Sequence, residues 1–325
     1  EVNAIADGFT EIIVGHKDTA GHAKAGTSGG VVRIGANTVA EQFTFRDKLS
    51  VYGGSITVSD YTNPATTLVT TDNVTLDAVG NIDIYNKMTL SADNVTYYDM
   101  TLYSEDGKIS QQNNTGDGQS LEPVYANDLI ATAQTGIDLG WIDVDTIDAE
   151  NQGNSGDIDI NIIAAGGNVS VTRMVQTFVS ATEGGKIELT TENGNITIAA
   201  TGTGVSTVGT GAITIDANDT GTDKTLTVNK AISGTTGTIT LEADGAVTTS
   251  AVVSDSGAGA INLKSNNASI TQGANVTSVG GLITYNAATS ITMTSGTLTQ
   301  SLDPVGNTGA ISFTAGTDMA LSILE

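Results

Sequence analysis

The chain has 325 residues, with 36 acidic against 12 basic side chains and a net charge of −24 at pH 7. Such a surface repels nucleic acid phosphates and anionic lipids, and no apolar run is long enough to span a membrane. Neither a nucleic acid partner nor membrane insertion is therefore expected. The lack of Cys excludes disulfides and cysteine-based metal sites. The 39 Gly and the aromatic content of 4% favour a fold with a narrow aliphatic interior.

The first part of the chain, residues 1–128, has strand patterns that are short and irregularly spaced. Strands are predicted around Ile12 and Val31, with a glycine-rich loop between them. Alternating segments such as Val74-Thr-Leu76 then follow at intervals of about six to eight residues. Residues 111–127, rich in Asn and Gly, are predicted to form a surface excursion.

From residue 129 the pattern becomes regular, most clearly after residue 237. First strands recur every 22 residues, at Ile239, Ile261 and Ile283, and two more short strands follow each of them. About three short strands per repeat, each in phase with its predecessor, predict an all-β parallel β-helix, or β-solenoid. We therefore predict a regular solenoid over 129–325, with irregular coils of the same solenoid or a cap over 1–128.

Alternation within each strand predicts which side chains point into the solenoid. Because equivalent strands of successive coils lie side by side, the ladders should be parallel, and inward residues should stack. Gly and Asn between the strands are expected to supply left-handed backbone at tight corners. The predicted stacks are Ile239 with Ile261 and Ile283, Val247 with Ile270 and Ile291, and Val253 with Val276 and Leu298.

An acidic run in the middle of the chain is the best candidate for chemistry. Asp143 and Asp145 flank Val144, and Asp157 and Asp159 flank an isoleucine, so alternation directs these carboxylates outward. Stacked carboxylates repel one another unless they are screened or bridged, and Ca²⁺ takes oxygen ligands. The default interpretation is a solvated acidic face without a cofactor. Calcium binding by Asp143, Asp145, Asp157 and Asp159 is the alternative.

Catalytic arrangements are weak in this sequence. His16 and His22 lie near Asp18 and Ser28 in a glycine-rich loop, where a metal pair or a hydrolytic triad can be drawn, but such histidines are usually ordinary polar residues. Polysaccharide-degrading enzymes on β-helices need clustered carboxylates or a base near cationic residues, and the three arginines are scattered. We therefore predict that the chain is not an enzyme.

Threonine pairs of the form Thr-x-Thr raise the question of an ice-binding face. Such a face would require the pairs to stack in neighbouring coils. The strand equivalent to Thr238 and Thr240 carries Ala260 and Asn262, which breaks that column. Ordinary β-propensity is expected to explain the threonines.

The lines Gly-x-Ile-Thr-Leu-x-Ala, from residue 237, and Ala-Ser-Ile-Thr-Gln-Gly-Ala-Asn-Val-Thr-Ser-Val-Gly-Gly-Leu-Ile-Thr, from residue 268, resemble the shafts of giant bacterial surface proteins. These include filamentous-haemagglutinin-like adhesins and related β-strand-repeat exoproteins. The resemblance covers residues 129–325 well and 1–128 weakly. It implies a right-handed parallel β-helix that is exported and displayed outside the cell. The family's N-terminal secretion domain has no counterpart here, and no binding or catalytic residue can be carried over.

The sequence therefore favours a non-enzymatic extracellular protein of the bacterial cell surface, acting as a structural or adhesive rod or as a fibre-forming repeat segment. A carbohydrate-active enzyme and a calcium-dependent surface-matrix protein are the alternatives. Open strand edges pair readily with other chains. Head-to-tail self-association through Leu321, Ile323 and Leu324 is therefore expected if the chain is the whole protein, and the next coil of the same polypeptide is expected to cover these residues if the chain is a fragment. A glycan or a cell-surface receptor is a candidate partner. The start at Glu1 without Met suggests a mature form or a piece of a longer protein.

Overall fold

The computed structural model describes residues 8–24, 30–35, 42–58, 67–85, 87–112, 123–153, 155–163, 168–177, 184–217, 223–302 and 309–325. Over these ranges the regular secondary structure is β-strand without α-helix, so no described segment is a helix long and apolar enough to cross a membrane. The strands form a parallel β-solenoid, which confirms the predicted fold class. The chain divides into two compact units, Glu1–Gln152 and Gly153–Glu325.

In the first unit, each coil contributes strands to three parallel ladders. The strand Met100–Ser104 alternates buried and outward-facing residues, whereas Leu49–Gly53 and Val74–Ala78 contain several consecutive buried residues. The strands are β1 (Ile12–Val14), β2 (Val31–Ile34), β3 (Gln42–Phe45), β4 (Leu49–Gly53), β5 (Ser55–Val58), β6 (Thr67–Thr70), β7 (Val74–Ala78), β8 (Ile82–Ile84), β9 (Met88–Leu90), β10 (Met100–Ser104), β11 (Ile109–Gln111), β12 (Val124–Tyr125), β13 (Asp128–Ala133), β14 (Ile137–Asp143) and β15 (Thr146–Asn151).

The ladders of the first unit run through equivalent strands of successive coils. One ladder joins β1, β4, β7, β10, β13 and β15, and all its pairings are parallel. A second joins β2, β5, β8, β11 and β14, and a third joins β3, β6, β9, β12 and β14. The long strand β14 therefore merges two ladders, because it pairs with β11 through Ile137 and with β12 through Ile142.

In the second unit, most coils consist of one five-residue strand followed by two shorter ones, which confirms the prediction of three strands per coil. The strands are β16 (Ile158–Ile162), β17 (Val169–Gln176), β18 (Ile187–Thr191), β19 (Ile196–Ile198), β20 (Gly204–Ser206), β21 (Ile213–Ala217), β22 (Leu226–Val228), β23 (Ile232–Gly234), β24 (Ile239–Ala243), β25 (Val247–Thr249), β26 (Val253–Asp255), β27 (Ile261–Ser265), β28 (Ile270–Gln272), β29 (Val276–Ser278), β30 (Ile283–Ala287), β31 (Ile291–Met293), β32 (Leu298–Ser301), β33 (Ile311–Ala315), β34 (Met319–Ala320) and β35 (Ile323–Leu324).

The ladders of the second unit form two sheets. The first strands build one sheet, in the order β16, β18, β21, β24, β27, β30 and β33. The second and third strands build the other sheet as two ladders, β19–β22–β25–β28–β31–β34 and β20–β23–β26–β29–β32–β35. The eight-residue strand β17 pairs with both β19 and β20, so it begins both ladders.

Two of the three predicted inward stacks are confirmed. The first strands pair Ile239 with Ile261 and Ile261 with Ile283, and all three side chains are fully buried. The second strands likewise pair and bury Val247, Ile270 and Ile291. The third stack was predicted wrongly at its last member. Val276 pairs with Thr299, so Leu298 faces outward and Thr299 is buried.

A buried polar cluster accounts for the shifted register at β32. Tyr285 is fully buried, and its hydroxyl group donates to Gln272 Oε1 at 2.6 Å. The hydroxyl of Thr299 also donates to Gln272 Oε1, at 2.9 Å, and lies 3.1 Å from the Tyr285 hydroxyl. Buried polar groups are costly when their hydrogen bonds are not made, and an inward Thr299 bonds to both Tyr285 and Gln272, so a hydroxyl side chain is favoured here over an inward leucine.

Glycines at the corner before each first strand are required by the close approach of successive coils. A Cβ atom on Gly237 would lie 2.0 Å from the carbonyl oxygen of Gly211, and one on Gly281 would lie 2.0 Å from that of Gly259. None of these four glycines has a positive φ. The expectation of a left-handed backbone is therefore wrong at this corner. Glycine is required because a Cβ atom would clash with the backbone of the neighbouring coil.

Candidate functional site

Asp143 ends β14 and lies beside Tyr125 of β12 in the parallel ladder. Its neighbours Ile142 and Val144 are buried, and Asp143 itself is half-buried. Burial, and secondarily the carboxylate of Asp145, raises the pKa of Asp143. Asp145 is exposed. The first pair of predicted calcium ligands therefore combines one partly desolvated carboxyl group with one that is exposed to solvent.

Asp157 and Asp159 lie in the second unit, and both bind Lys186 of the following coil. The backbone N–H of Lys186 donates to Asp157 Oδ1 at 2.8 Å. Its Nζ lies 3.2 Å from Asp159 Oδ2 and 2.8 Å from Glu188 Oε2. The hydrogen bond to Glu188, with a further one to Asp159, raises the pKa of Lys186. A lysine thus compensates part of the negative charge on this face.

The four predicted calcium ligands are thus divided between the two units. Asp143 and Asp145 belong to the first, and Asp157 and Asp159 belong to the second. In the parts of the chain that the structure describes, no three His, Asp or Glu side chains form a group that could hold a metal ion. Calcium binding by these residues stays a prediction.

Residues 15–24, which carry both histidines, fold into a short hairpin closed by an antiparallel bridge. The carboxylate of Asp18 holds the tip of this hairpin, because its Oδ1 accepts the backbone N–H groups of Ala20 and His22 at 2.8 and 3.1 Å. These bonds, above all the one from His22, lower the pKa of Asp18. Ser28, which the sequence placed near the histidines, lies outside the described residues.

His22 attaches the hairpin to the outer face of the first unit. Its Nδ1 lies 2.9 Å from Oδ2 of Asp77 on β7, and Oδ1 of Asp77 accepts the backbone N–H of Ala23 at 2.9 Å. The imidazole stacks on Tyr103, with 4.1 Å between the ring centroids. The Asp77 side chain is only 5% exposed, against 45% for His22. The hairpin therefore covers an aspartate that would otherwise face solvent.

An aspartate that orients an imidazole is also one half of a catalytic triad. A triad needs a nucleophile whose hydroxyl or thiol group hydrogen-bonds to the imidazole. Among the described residues, no such group bonds to His22. The contacts of His22 with Asp77 and Tyr103 attach the hairpin to the first unit.

A second cluster on the first unit surrounds Asp143. The rings of Tyr97 and Tyr125 stack with 6.1 Å between their centroids, and Nζ of Lys87 lies 5.3 Å from the centroid of Tyr125. Burial, followed by the carboxylates of Asp143 and Asp93, raises the pKa of Tyr97. This patch therefore brings aromatic, cationic and acidic groups together on the first unit.

On the second unit, Asp216, Glu242 and Lys264 lie side by side on the outer face of β21, β24 and β27. The Nζ of Lys264 lies 2.6 Å from Glu242 Oε1. Burial, followed by the carboxylates of Glu242 and Asp244, raises the pKa of Asp216 to about 6. The charge of this face therefore changes close to neutral pH.

Asp255 is a buried carboxyl group at the end of β26. Its Oδ1 accepts the backbone N–H groups of Gly257 and Gly259 at 3.0 and 2.9 Å, while its Oδ2 has no hydrogen-bond partner among the described residues. Burial raises the pKa of Asp255. In the next coil its ladder partner is Ser278, whose hydroxyl donates to the carbonyl of Gly259 at 2.8 Å. The carboxyl group thus occupies a position that a neutral hydroxyl fills one coil later.

Sequence reasoning did not single out Asp77, Asp216 or Asp255, although signals were present. Alternation after Val253 places Asp255 inward, where an acidic residue is unusual. The 26-residue spacing from residue 213 to residue 239 pairs Asp216 with Glu242. The attachment of the hairpin to Asp77 had no sequence signal, because it joins residues 55 positions apart through a loop.

The comparisons with known proteins return no relative. No protein-family model, no curated protein and no solved structure matches this chain.

Proposed function

We propose that this chain is a non-enzymatic structural or adhesive segment of an extracellular bacterial surface protein, which builds a rod or a fibre from stacked solenoid coils. The parallel β-solenoid supports the proposal, because stacked coils of this type grow along one axis without needing a second core. The resemblance of the Gly-x-Ile-Thr repeats to the shafts of filamentous-haemagglutinin-like adhesins also supports it. The net charge of −24 favours solubility.

The coil formed by β33 to β35 carries the proposal of assembly. Its apolar side chains are unusually accessible, with Met319 54% and Ile323 46% exposed and with Leu321 and Leu324 also exposed. Strand edges of this kind pair readily with a further strand. We propose that a second copy of the chain stacks on this coil head to tail, an arrangement that does not close on itself and therefore gives filaments.

Sedimentation velocity over a range of concentrations tests the assembly. We expect concentration-dependent association of the purified chain and its loss in Ile323→Glu. Val252→Glu is the matched control, because Val252 is 42% exposed and lies before β26, three coils away from this one. A chain that stays monomeric throughout, or a control that dissociates equally, would contradict head-to-tail stacking.

Adhesion needs a separate measurement, because a solenoid can be structural without binding cells. We expect labelled chain to be retained on bacterial or host cell surfaces or on immobilised glycans, without release of sugar products. Release of reducing ends from acidic or neutral polysaccharides would favour a carbohydrate-active enzyme instead. Retention or assembly that disappears with a calcium chelator would favour a calcium-dependent surface-matrix protein.

A further inference from the structure

Hydroxyl side chains at strand ends link neighbouring coils at several corners of the solenoid. Ser278 ends β29, and its Oγ accepts the N–H of Gly281 at 3.0 Å and donates to the carbonyl of Gly259, in the preceding coil, at 2.8 Å. Ser104 and Ser265 make equivalent pairs of bonds at two other corners. A hydroxyl group can do this because it is both a donor and an acceptor. One side chain thus joins two coils.

Asp255 occupies this position one coil earlier and pairs with Ser278 in the ladder. The accepting half of the link is present, since Asp255 Oδ1 accepts the N–H groups of Gly257 and Gly259 at 3.0 and 2.9 Å. The donating half is missing. Asp255 is only 2% exposed, yet its Oδ2 has no hydrogen-bond partner among the described residues. An ionised carboxylate can only accept, so it cannot complete the link.

The acceptor that this link requires is already in place. A Cβ atom on Gly281 would lie 2.5 Å from Ser278 Oγ and 2.0 Å from the carbonyl oxygen of Gly259, the two atoms that are hydrogen-bonded to each other. A Cβ atom on Gly259 would lie 2.7 Å from Asp255 Oδ2 and 2.3 Å from the carbonyl oxygen of Gly237. These two oxygens therefore stand where donor and acceptor stand one coil later. Within the described ranges, the Gly237 carbonyl accepts no other hydrogen bond.

The elements packed against Asp255 present no titratable or charged side chain to it, as far as the described residues go. Its ladder partners are Gly234 on β23 and Ser278 on β29. The corner at residues 256–260 consists of Ser, Gly and Ala. The first strands β24 and β27 bury uncharged residues on their inner side. Burial therefore raises the pKa of Asp255, the two backbone N–H groups lower it in part, and no neighbouring charge contributes.

We propose that Asp255 is a pH-sensitive latch between two coils. In acid, the protonated carboxyl group donates from Oδ2 to the carbonyl oxygen of Gly237, which completes the link that Ser278 makes in the next coil. At neutral pH, the carboxylate directs a lone pair at that carbonyl oxygen instead, and the corner at Gly259 opens more often. The latch goes beyond the rod or fibre proposed above, because it regulates how tightly two of its coils are joined.

The raised pKa sets the direction of the pH dependence. An aspartate in an opened, solvated corner titrates at about 3.9. Between this value and the raised pKa of Asp255, the closed corner binds more protons than the open one, so opening becomes up to about tenfold more frequent with each pH unit. The contribution of the latch to stability is therefore complete in acid and is lost as the pH rises.

Hydrogen exchange of the full 325-residue chain tests the latch at single amides. Exchange is followed by NMR from pH 4 to pH 8, and each rate is divided by the intrinsic rate at the same pH. The N–H of Gly259 reports on Asp255, and the N–H of Gly281, which donates to the neutral Ser278 hydroxyl, is the internal control. We expect the protection of Gly259 to fall as the pH rises and that of Gly281 to stay constant.

Three variants sharpen this comparison. Asp255→Ser introduces the hydroxyl of the neighbouring coil, so Gly259 should stay protected at every pH. Ser278→Asp should transfer the pH dependence to Gly281. Asp223→Asn removes an exposed aspartate of the same unit and should leave both profiles unchanged.

Equal pH profiles for Gly259 and Gly281 in the wild-type chain would overturn the latch, as would a pH dependence of Gly259 that persists in Asp255→Ser. If Ser278→Asp does not fold, Asp255→Ser decides alone, because serine already occupies the same ladder position one coil later. Protection of Gly259 that rises at pH 7 when calcium is added would also overturn the latch, by assigning the two oxygens to a bound cation.

Discussion

Two inward columns of the second unit show how far a sequence repeat fixes a solenoid core. The first-strand column keeps the same aliphatic residue through three coils at a 22-residue spacing. The third-strand column keeps valine twice and then changes to a buried threonine, one residue away from the position that the repeat predicts. The first-strand column consists of Ile239, Ile261 and Ile283. The third-strand column consists of Val253, Val276 and Thr299.

The difference teaches that a large polar side chain in the core overrides the repeat. An aliphatic column needs only contact with its neighbours, whereas the buried Tyr285 and Gln272 side chains form hydrogen bonds, and Thr299 bonds to both of them. Turning Leu298 outward forfeits about 2 kcal/mol of burial, which is comparable to the contribution of the two hydrogen bonds that Thr299 makes in this cluster, at about 1 kcal/mol each. The longer turn after β31, which includes Gly296 with a φ of +85°, makes the shifted register possible.

The largest effect on stability is expected from a charge placed in the aliphatic column. Ile261→Asp would bury an unpaired charge between Ile239 and Ile283, and we expect the free energy of unfolding to fall by several kcal/mol. Urea denaturation followed by circular dichroism measures the loss. Asn262→Asp is the control, since Asn262 faces outward on the same strand. Comparable stability of the two variants would refute the assigned register.

The next test addresses the corner where the coils come closest. A Cβ atom on Gly259 would lie 2.3 Å from the carbonyl oxygen of Gly237 and 2.7 Å from Asp255 Oδ2. We therefore expect Gly259→Ala to destabilise the chain by about 1–3 kcal/mol, the usual cost of overpacking. Gly273→Ala should cost less, because its nearest neighbour, a carbonyl oxygen, is 3.0 Å away. Thermal melting of both variants makes the comparison, and equal losses would show that coil spacing does not require glycine here.

Much of the fold was predictable because the repeat is both a chemical and a geometric signal. Equivalent strands of successive coils must pair, so the 22-residue spacing of Ile239, Ile261 and Ile283 predicted which residues pair in this ladder. The register of β32 was not predictable from spacing, because it depends on where the side chain of Tyr285 ends in three dimensions. The reason for the corner glycines was also not predictable, because the close approach of two coils gives no signal in the sequence of a single strand.

A smaller effect is expected at the polar cluster itself. Tyr285→Phe removes the hydroxyl that donates to Gln272 Oε1, while Thr299 continues to donate to the same oxygen. We therefore expect a loss of about 1 kcal/mol in the free energy of unfolding. Combining it with Thr299→Val should cost less than the sum of the two single changes if the groups act together. Strict additivity in this double-mutant cycle would show that the cluster does not hold the register.

The candidate sites were less predictable than the fold. Alternation correctly placed Ile142 and Val144 inside and Asp143 on the outer side of β14. It gave no information on Lys186, which binds Asp157 and Asp159 from a coil 29 residues further along the chain. Whether an outward carboxylate is free or paired depends on its ladder neighbours, and those are known only once the coil lengths are known.

The smallest effect concerns the outward side of the same first strands that carry the aliphatic column. An unfolded aspartate has a pKa of about 3.9, whereas burial and neighbouring carboxylates raise the pKa of Asp216 to about 6 in the folded chain. Between these values the folded state binds more protons than the unfolded state, so the contribution of Asp216 to stability falls as the pH rises through this window. Partial exposure screens the effect, and we expect about 1 kcal/mol.

Melting curves from pH 4 to pH 8 test this contribution as a difference between variants, because many other carboxylates titrate over the same range. The Asp216→Asn variant should lose less stability than the wild-type chain between pH 4 and pH 6. It should therefore be more stable than the wild-type chain at pH 7. Asp223→Asn removes an exposed aspartate of the same unit and is the control for net charge. Identical pH profiles for both variants would show that the raised pKa of Asp216 does not influence folding, and that overall charge alone sets the response.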